Sequence, residues 1–219
     1  AHNMSHELRT PLTAIRGYVD NMLDGIAGEL NERQARNLTR VGQNSDHLLE
    51  LINNLLDITK IEAGRMDVDV ASFSVETLIT TCCDTIEPLI KSGVELKTEV
   101  SEGADDAFTD QSKLRYVIGN LLSNAVKFTD QGEITVRAKK IHDQLVISVS
   151  DTGVGMPKES LETIFDEFQQ VDGSEQVQKG TGLGLAIAKK YAELLEGTIF
   201  VDSEVGKVTT FMVQIPVIY

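Results

Sequence analysis

The hydrophobic period of this chain changes near residue 67, and that change limits the available folds more than any other feature. Up to Gly64, apolar side chains recur at three- and four-residue steps. They come first as Leu8, Leu12, Ile15, Val19, Met22, Leu23 and Ile26, then as Leu38, Val41, Leu48, Leu51, Ile52, Leu55, Leu56, Ile58 and Ile61. Such steps follow the helical repeat of about 3.6 residues. Gly25 and Gly28 part the two runs, Asn31 is a natural N-cap for the second, and Gly64 stops it. Two amphipathic helices with a short turn form an αα-hairpin. A lone hairpin leaves more apolar surface than it covers, so the expected solution is a four-helix bundle built from two copies of the chain.

Beyond residue 67, short alternating runs take over: Glu95 to Val100, Glu133 to Ile141, Gln144 to Ser150, Gly197 to Asp202 and Thr209 to Val217. They read as strands of an antiparallel or mixed sheet. Helical patterns lie between them, at Val75–Ile90, Ser112–Phe128, Lys158–Phe165 and Leu183–Leu195. The fold class is therefore α+β: a helical hairpin over residues 1–66, then an α/β sandwich over 67–219 whose sheet is covered on one face by helices. The polar stretch 169–179, which contains Gly173, reads as a mobile segment placed where a lid would serve.

Charge narrows the function. Lys and Arg number 20 against 34 Asp and Glu, a formal charge of −14. Non-specific nucleic-acid binding rests on cationic side chains that neutralise phosphates, and this balance opposes it. Trp is absent and aromatics are 5%, which leaves little for a base-stacking platform. A single nucleotide in a local pocket is still permitted. No apolar run approaches the roughly 18 residues of a membrane span, and the polar start carries no signal peptide, so the fragment is expected to be cytoplasmic without membrane contact. Cys82 and Cys83 are adjacent, the wrong spacing for a disulfide framework or a metal site. They read as two small buried residues in a reduced compartment.

Four clusters carry chemistry. Gly180-Thr181-Gly182-Leu183-Gly184 opens a helical segment, where glycines let the backbone approach an anion and the helix N-terminus attracts it. A tight packing loop would account for the same glycines. Asp151-Thr152-Gly153-Val154-Gly155 follows a strand, and its carboxylate could accept from an exocyclic amine such as that of adenine; an ordinary turn is the plainer reading. Asn120, Asn124 and Lys127 share one helical face, which suits a Mg²⁺–triphosphate or simply a solvated stripe. Lastly, His6, Glu7 and Thr10 stand within a turn and a half. Glu7 could hold Nδ1–H of the imidazole and leave Nε2 as nucleophile, while Pro11 is expected to bend the helix beside them.

As a set, these residues resemble a sensor histidine kinase of two-component signalling. Met4–Leu12 is similar to the family's phosphoacceptor box and Asn120–Thr129 to its asparagine box. Asp151–Met156 and Lys179–Leu185 are similar to its two glycine boxes, and Ile164–Phe168 to its phenylalanine box. The resemblance implies a dimerisation hairpin followed by an ATP-binding domain of the DNA gyrase type. It implies that His6 is phosphorylated, that Glu7 orients and deprotonates it, and that Thr10 stands where many relatives place a residue orienting water to dephosphorylate the partner. ATP would then meet Asp151 at its adenine amine, with Gly153 and Gly155 shaping the pocket. Asn124 would ligate Mg²⁺, and Asn120 and Lys127 would contact phosphates or the ion's water shell. Phe165 and Phe168 would anchor the lid, and Gly180, Gly182 and Gly184 would let it fold over the phosphates. Phe128, Lys179, Thr181 and Leu183 complete the ATP-binding set.

The same resemblance implies onward transfer to an aspartate of a response-regulator receiver domain, and a homodimer through the hairpin. Hydrolytic relatives such as gyrase hold a glutamate at the position matching Asn120, and an asparagine is no general base. A hydrolytic machine and a non-phosphorylating scaffold or phosphatase are the competing classes. Only five residues precede His6, whereas the family's first helix continues upstream into a sensor or membrane segment. The resemblance therefore implies an excised core of a protein whose full length can carry a membrane anchor.

Overall fold

The computed structural model describes residues 2–170 and 181–217, with the main chain alone for residues 2–6. The chain divides into two compact units, Ala1–Met66 and Asp67–Tyr219.

The first unit is a pair of long helices, α1 (His2–Leu23) and α2 (Glu32–Glu62). Asn31 starts α2 with a full capping box: its side chain accepts from Gln34 N at 3.0 Å, and Gln34 Oε1 accepts from Asn31 N at 3.0 Å. Gly64 ends it in the left-handed region at φ +62, with Gly64 N donating to Ile61 O and Arg65 N to Lys60 O, both at 2.9 Å. This is a Schellman closure, and it requires glycine's freedom at the turning residue. α1 runs through Pro11, which has no N–H to offer the Glu7 carbonyl. Polar braces hold the pair in register: Arg9 Nη2 donates to Asn53 Oδ1 at 3.0 Å and Arg16 Nη1 to Asp46 Oδ2 at 2.9 Å. Gly42 lies directly under the Arg16 guanidinium, 2.6 Å from where a Cβ would sit.

Between the helices Leu12, Val19 and Ile58 are buried. Leu8, Ile15 and Met22 on α1, and Val41, Leu48 and Leu55 on α2, each 40–51% exposed, recur at seven-residue steps. That is a heptad seam, the pattern that packs helix against helix.

The second unit begins with β1 (Ala71–Ser74) and α3 (Val75–Ile86), then β2 (Val94–Val100) and β3 (Asp106–Thr109). It continues through α4 (Gln111–Phe128), β4 (Gly132–Ile141), β5 (Gln144–Asp151), α5 (Lys158–Leu161), α6 (Gly184–Leu194), β6 (Thr198–Ser203) and β7 (Thr209–Pro216). The main sheet is mixed, in the order β2-β4-β5-β7-β6, with β2 parallel to β4 and the other pairs antiparallel. Register aligns Val136, Val149 and Phe211 across one rung and Ala138, Ile147 and Val213 across the next, all buried. Alternation sends the other residues of these strands to a polar face, where Lys97 pairs with Glu133 at 2.7 Å and Arg137 with Glu99 at 2.8 Å. Leu114, Ile118, Leu121 and Leu122 of α4 are fully buried, each stabilising the core by a gross ~1.5–3 kcal/mol. Ala186, Ala188 and Ala192 of α6, also buried, let that helix approach closely.

Two sequence expectations need correction, and one pair of strands goes beyond them. The pattern at Val75–Ile90 breaks at Ile86, where Pro88 turns the chain into a 3-10 turn over Glu87–Leu89. The pattern at Lys158–Phe165 yields one short helix, followed by i→i+3 turns from Thr163 N to Ser160 O and Asp166 N to Thr163 O. The small antiparallel sheet of β1 and β3 carries no alternation that sequence alone would reveal. Both cysteines are free and buried, and burial pushes the Cys83 thiol up to about 11.

Candidate functional site

The second unit gathers its predicted residues around the C-terminal end of β5. Asp151 closes that strand and is 5% exposed. Its Oδ1 accepts from Gly153 N at 3.0 Å and from Thr129 Oγ1 at 3.4 Å. Among the described residues nothing donates to Oδ2. Burial raises the Asp151 pKa, and these two donors only partly oppose the rise. A buried carboxylate with one open oxygen favours a neutral N–H donor and repels phosphate. An exocyclic purine amine has that chemistry.

Glycines make the approach to this carboxylate possible. A Cβ on Gly153 would run into the Phe128 carbonyl and sit 2.8 Å from Asp151 Oδ1. Gly155, at φ +69, lies against the Glu204 carbonyl, and Met156 N donates to Ser203 Oγ at 2.9 Å. The loop after β5 is thus pressed between the end of α4 and the β6–β7 turn. Thr129 is a site residue that sequence reading did not single out. Fully buried as the C-cap of α4, it aims its hydroxyl at Asp151. The available signal was a hydroxyl directly after the polar stripe of α4.

That stripe is present. Asn124 and Lys127 are half-buried on α4, and among the described residues the Asn124 amide has no hydrogen-bond partner. Lys127 Nζ stands 5.1 Å from the centroid of the Phe128 ring, and burial lowers its pKa. An arriving polyanion would reverse that shift. Asn120 Nδ2 donates to Tyr116 O at 3.1 Å, and its Oδ1 occupies the space where a Cβ on Gly184 would go. The first turn of α6 and the amide face of α4 are therefore in direct contact.

Leu183 is buried and caps α6, and its N–H donates to Thr181 Oγ1 at 3.1 Å. Gly182, at φ +71, is pressed on the main chain of Phe168, whose own φ is +63. Phe168 N donates to Gly182 O at 3.0 Å. Phe168 thus joins the site through its backbone, with its ring 62% exposed. Phe165 joins by its ring, edge-on to Phe211 at 6.2 Å, with Lys189 Nζ 6.0 Å from its centroid. Lys179, Gly180 and most of the expected lid lie outside the described residues.

In the first unit, Glu7 and Thr10 are exposed on α1. His6 is part of the same helix, and its side chain lies outside the described residues.

The donors present fit a Mg²⁺-nucleotide. Mg²⁺ takes hard oxygen ligands and keeps phosphates and waters in its shell, so a single amide such as that of Asn124 suits it. Among the described residues no group of three His, Cys, Asp or Glu side chains could hold a metal alone. Nor is any described helix long and apolar enough to cross a membrane.

Two family models match the chain. Residues 1–64 match the family model of the His Kinase A (phospho-acceptor) domain. Residues 109–218 match that of the histidine kinase-, DNA gyrase B-, and HSP90-like ATPase. The chain is 41% identical over 218 residues to the circadian input-output histidine kinase CikA of Synechococcus elongatus, covering 97% of this chain and 29% of that protein. It is 38% identical over 218 residues to the histidine protein kinase DivJ of Caulobacter vibrioides, covering 99% of this chain and 36% of that one. The crystal structure of full-length ShkA in complex with AMPPNP superposes with a TM-score of 0.85 at 30% identity, covering 98% of this chain and 45% of that chain. The chain thus spans about a third of the length of these curated relatives.

Proposed function

The chain belongs to the histidine kinase family as a sensor-kinase catalytic core, and on that premise we propose that it transfers the γ-phosphoryl group of Mg-ATP to His6. The observation that carries this reading is the Asp151 carboxylate, buried with one oxygen open, beside a helix that offers amides and an ammonium. Asp151 holds the adenine amine, Gly153 and Gly155 admit the base, and Lys127 with Asn120 meets the phosphates. Asn124 would hold Mg²⁺, whose charge would offset that of the triphosphate.

Neutral His6 attacks through Nε2. A nitrogen–phosphorus bond forms, the bond from the γ-phosphorus to its bridging oxygen breaks, and ADP departs. Glu7 takes the proton from Nδ1. Asn120 cannot arm water as a base, so the phosphoryl group is kept for the imidazole. Most of the acceleration is positioning and electrostatics. Phosphohistidine then passes its group to an aspartate of a response-regulator receiver domain. Thr10 orients water where the core also dephosphorylates its partner. The heptad seam of α1 and α2 is the surface through which two copies pair, and the core acts on the cytoplasmic side.

Incubation with γ-labelled ATP and Mg²⁺ tests the reading. The expected product is an acid-labile, base-stable label that disappears in His6→Gln. Steady phosphate release without a phosphoprotein would instead assign the chain to the hydrolytic class.

A further inference from the structure

Asp110 is a charged side chain that the site does not use, yet it is 1% exposed. As the N-cap of α4 it spends Oδ1 on Ser112 N at 3.0 Å, Ser112 Oγ at 2.6 Å and Lys113 N at 3.1 Å. These bonds satisfy the helix start and would suffice for capping. Oδ2 has a different use: it accepts from Lys113 Nζ at 2.5 Å and from the main-chain N–H of Asp69 at 2.9 Å. Asp69 lies in the segment that follows the hairpin, 41 residues earlier in sequence. The next residues are held to the same place, because β1 pairs with β3 from Ala71↔Thr109 to Ser74↔Asp106 and Val75 N donates to Asp105 O at 2.9 Å.

On the other side, the hairpin is closed through Arg65 N to Lys60 O. Among the described residues, Met66, Asp67 and Val68 make no hydrogen bond or ion pair, so no polar contact fixes this part of the connection. From Arg65 to Asp69 is four steps, which span at most about 14 Å when fully extended.

We infer that Asp110 is a positioning residue for phosphoryl transfer, its carboxylate fastening the segment that leaves the hairpin to the start of α4 and so confining the join to Met66, Asp67 and Val68. This rests on the kinase reading, because α4 also bears Asn120, Asn124 and Lys127. A short tether keeps histidine and nucleotide at high effective concentration, and it attaches at the helix that holds the phosphates. Freeing Asp69 lengthens the tether from four steps to six, up to Ala71. Effective concentration falls with about the −3/2 power of length, an approximately twofold loss.

The test compares the parent chain with Lys113→Met and with Asp110→Asn/Lys113→Met. Asparagine keeps an oxygen for the cap but replaces Oδ2 with a group that cannot accept, and methionine removes the ammonium that would otherwise be buried unpaired. In the double variant, hydrogen exchange at the Asp69 amide is expected to quicken by roughly 10-fold or more, the scale of one bond to a charged acceptor. The rate of His6 labelling at saturating ATP is expected to fall about twofold with KM for ATP unchanged. Lys113→Met alone keeps the Asp69 bond and both parental readouts. Unchanged exchange in the double variant overturns the fastening. Faster exchange with an unchanged labelling rate overturns the positioning role. A parent chain that takes no label sinks the kinase reading instead, and the exchange arm still decides the fastening.

Discussion

The two units bury their apolar residues to very different degrees. In the hairpin, Leu12, Val19 and Ile58 are the large apolar side chains buried among the described residues, while Leu8, Ile15, Met22, Val41, Leu48 and Leu55 stay 40–51% exposed. In the sandwich, Leu78, Ile79, Leu114, Ile118, Leu121, Leu122, Ile134, Ile147, Ile187 and Ile215 are below 2%. Two helices have too few neighbours to close a core, whereas a sheet with helices on one face closes its own. In the proposed reading, the incomplete unit carries the phosphate acceptor and the complete unit the nucleotide pocket. An acceptor with that role presents itself to both the nucleotide and the receiver of its phosphoryl group. A purine site must exclude water and hold a carboxylate against its preference for solvent.

Breaking the pocket is expected to have the largest effect. Asp151→Asn replaces the acceptor by a group that donates where adenine donates, and nucleotide affinity is expected to fall by about 10- to 100-fold, measured by calorimetry. The same change should stabilise the unliganded protein. The folded Asp151 pKa is raised, so its favourable contribution exists below the ordinary carboxyl range and is lost as pH climbs through the folded value. At neutral pH the ionised form is a burden, and removing it is expected to raise the melting temperature of the unliganded protein. An unchanged nucleotide affinity in this variant would break the assignment of Asp151 to binding.

The seam comes next. Leu48→Glu places charge on the exposed stripe of α2, and the dimer dissociation constant is expected to rise by about 10-fold or more in analytical ultracentrifugation, with nucleotide affinity unchanged. A parent chain that is monomeric at micromolar concentration would remove the contrast altogether.

Acid sharpens the contrast from the other side. Burial alone would raise the Asp110 pKa, but bonds from Lys113, Ser112 and the main chain of Asp69 and Lys113 overcome it and hold the carboxyl well below the usual range. A depressed carboxyl stabilises fully above its unfolded value of about 3.9, and that stability drains away as pH falls through the folded value. Helicity of the sandwich is expected to outlast pH 4 in the parent and to be lost at higher pH in Asp110→Asn/Lys113→Met. The smallest effect belongs to the hairpin's own caps: Asn31→Ala is expected to cost about 1 kcal/mol in chemical denaturation.

How much of this could be read beforehand follows from the range of the forces involved. α1, α2, α4 and the five strands of the main sheet were legible because period and caps are local: Asn31, Gly64 and the alternation of β7 all sit within the segments they organise. Ile86 was not legible as a helix end because Pro88 acts from beyond it. β1 and β3 are four residues each and owe their pairing to a distant partner. In the site, the positions of Asp151, Asn120 and the glycines were legible as a set of motifs. The parts played there by Thr129 and Asp110 were not, since the first acts on the carboxylate across from it and the second, beyond its local cap, on a backbone amide 41 residues away.

The contact between Phe168 and Gly182 has a consequence of its own. Because Phe168 N donates to Gly182 O, the two ends of the intervening sequence are held side by side on the domain. Lengthening such a stretch twofold costs only about 0.6 kcal/mol of closure entropy. Chimeras that exchange this stretch between related kinases at those two residues should keep their melting temperature, whatever the exchange does to turnover.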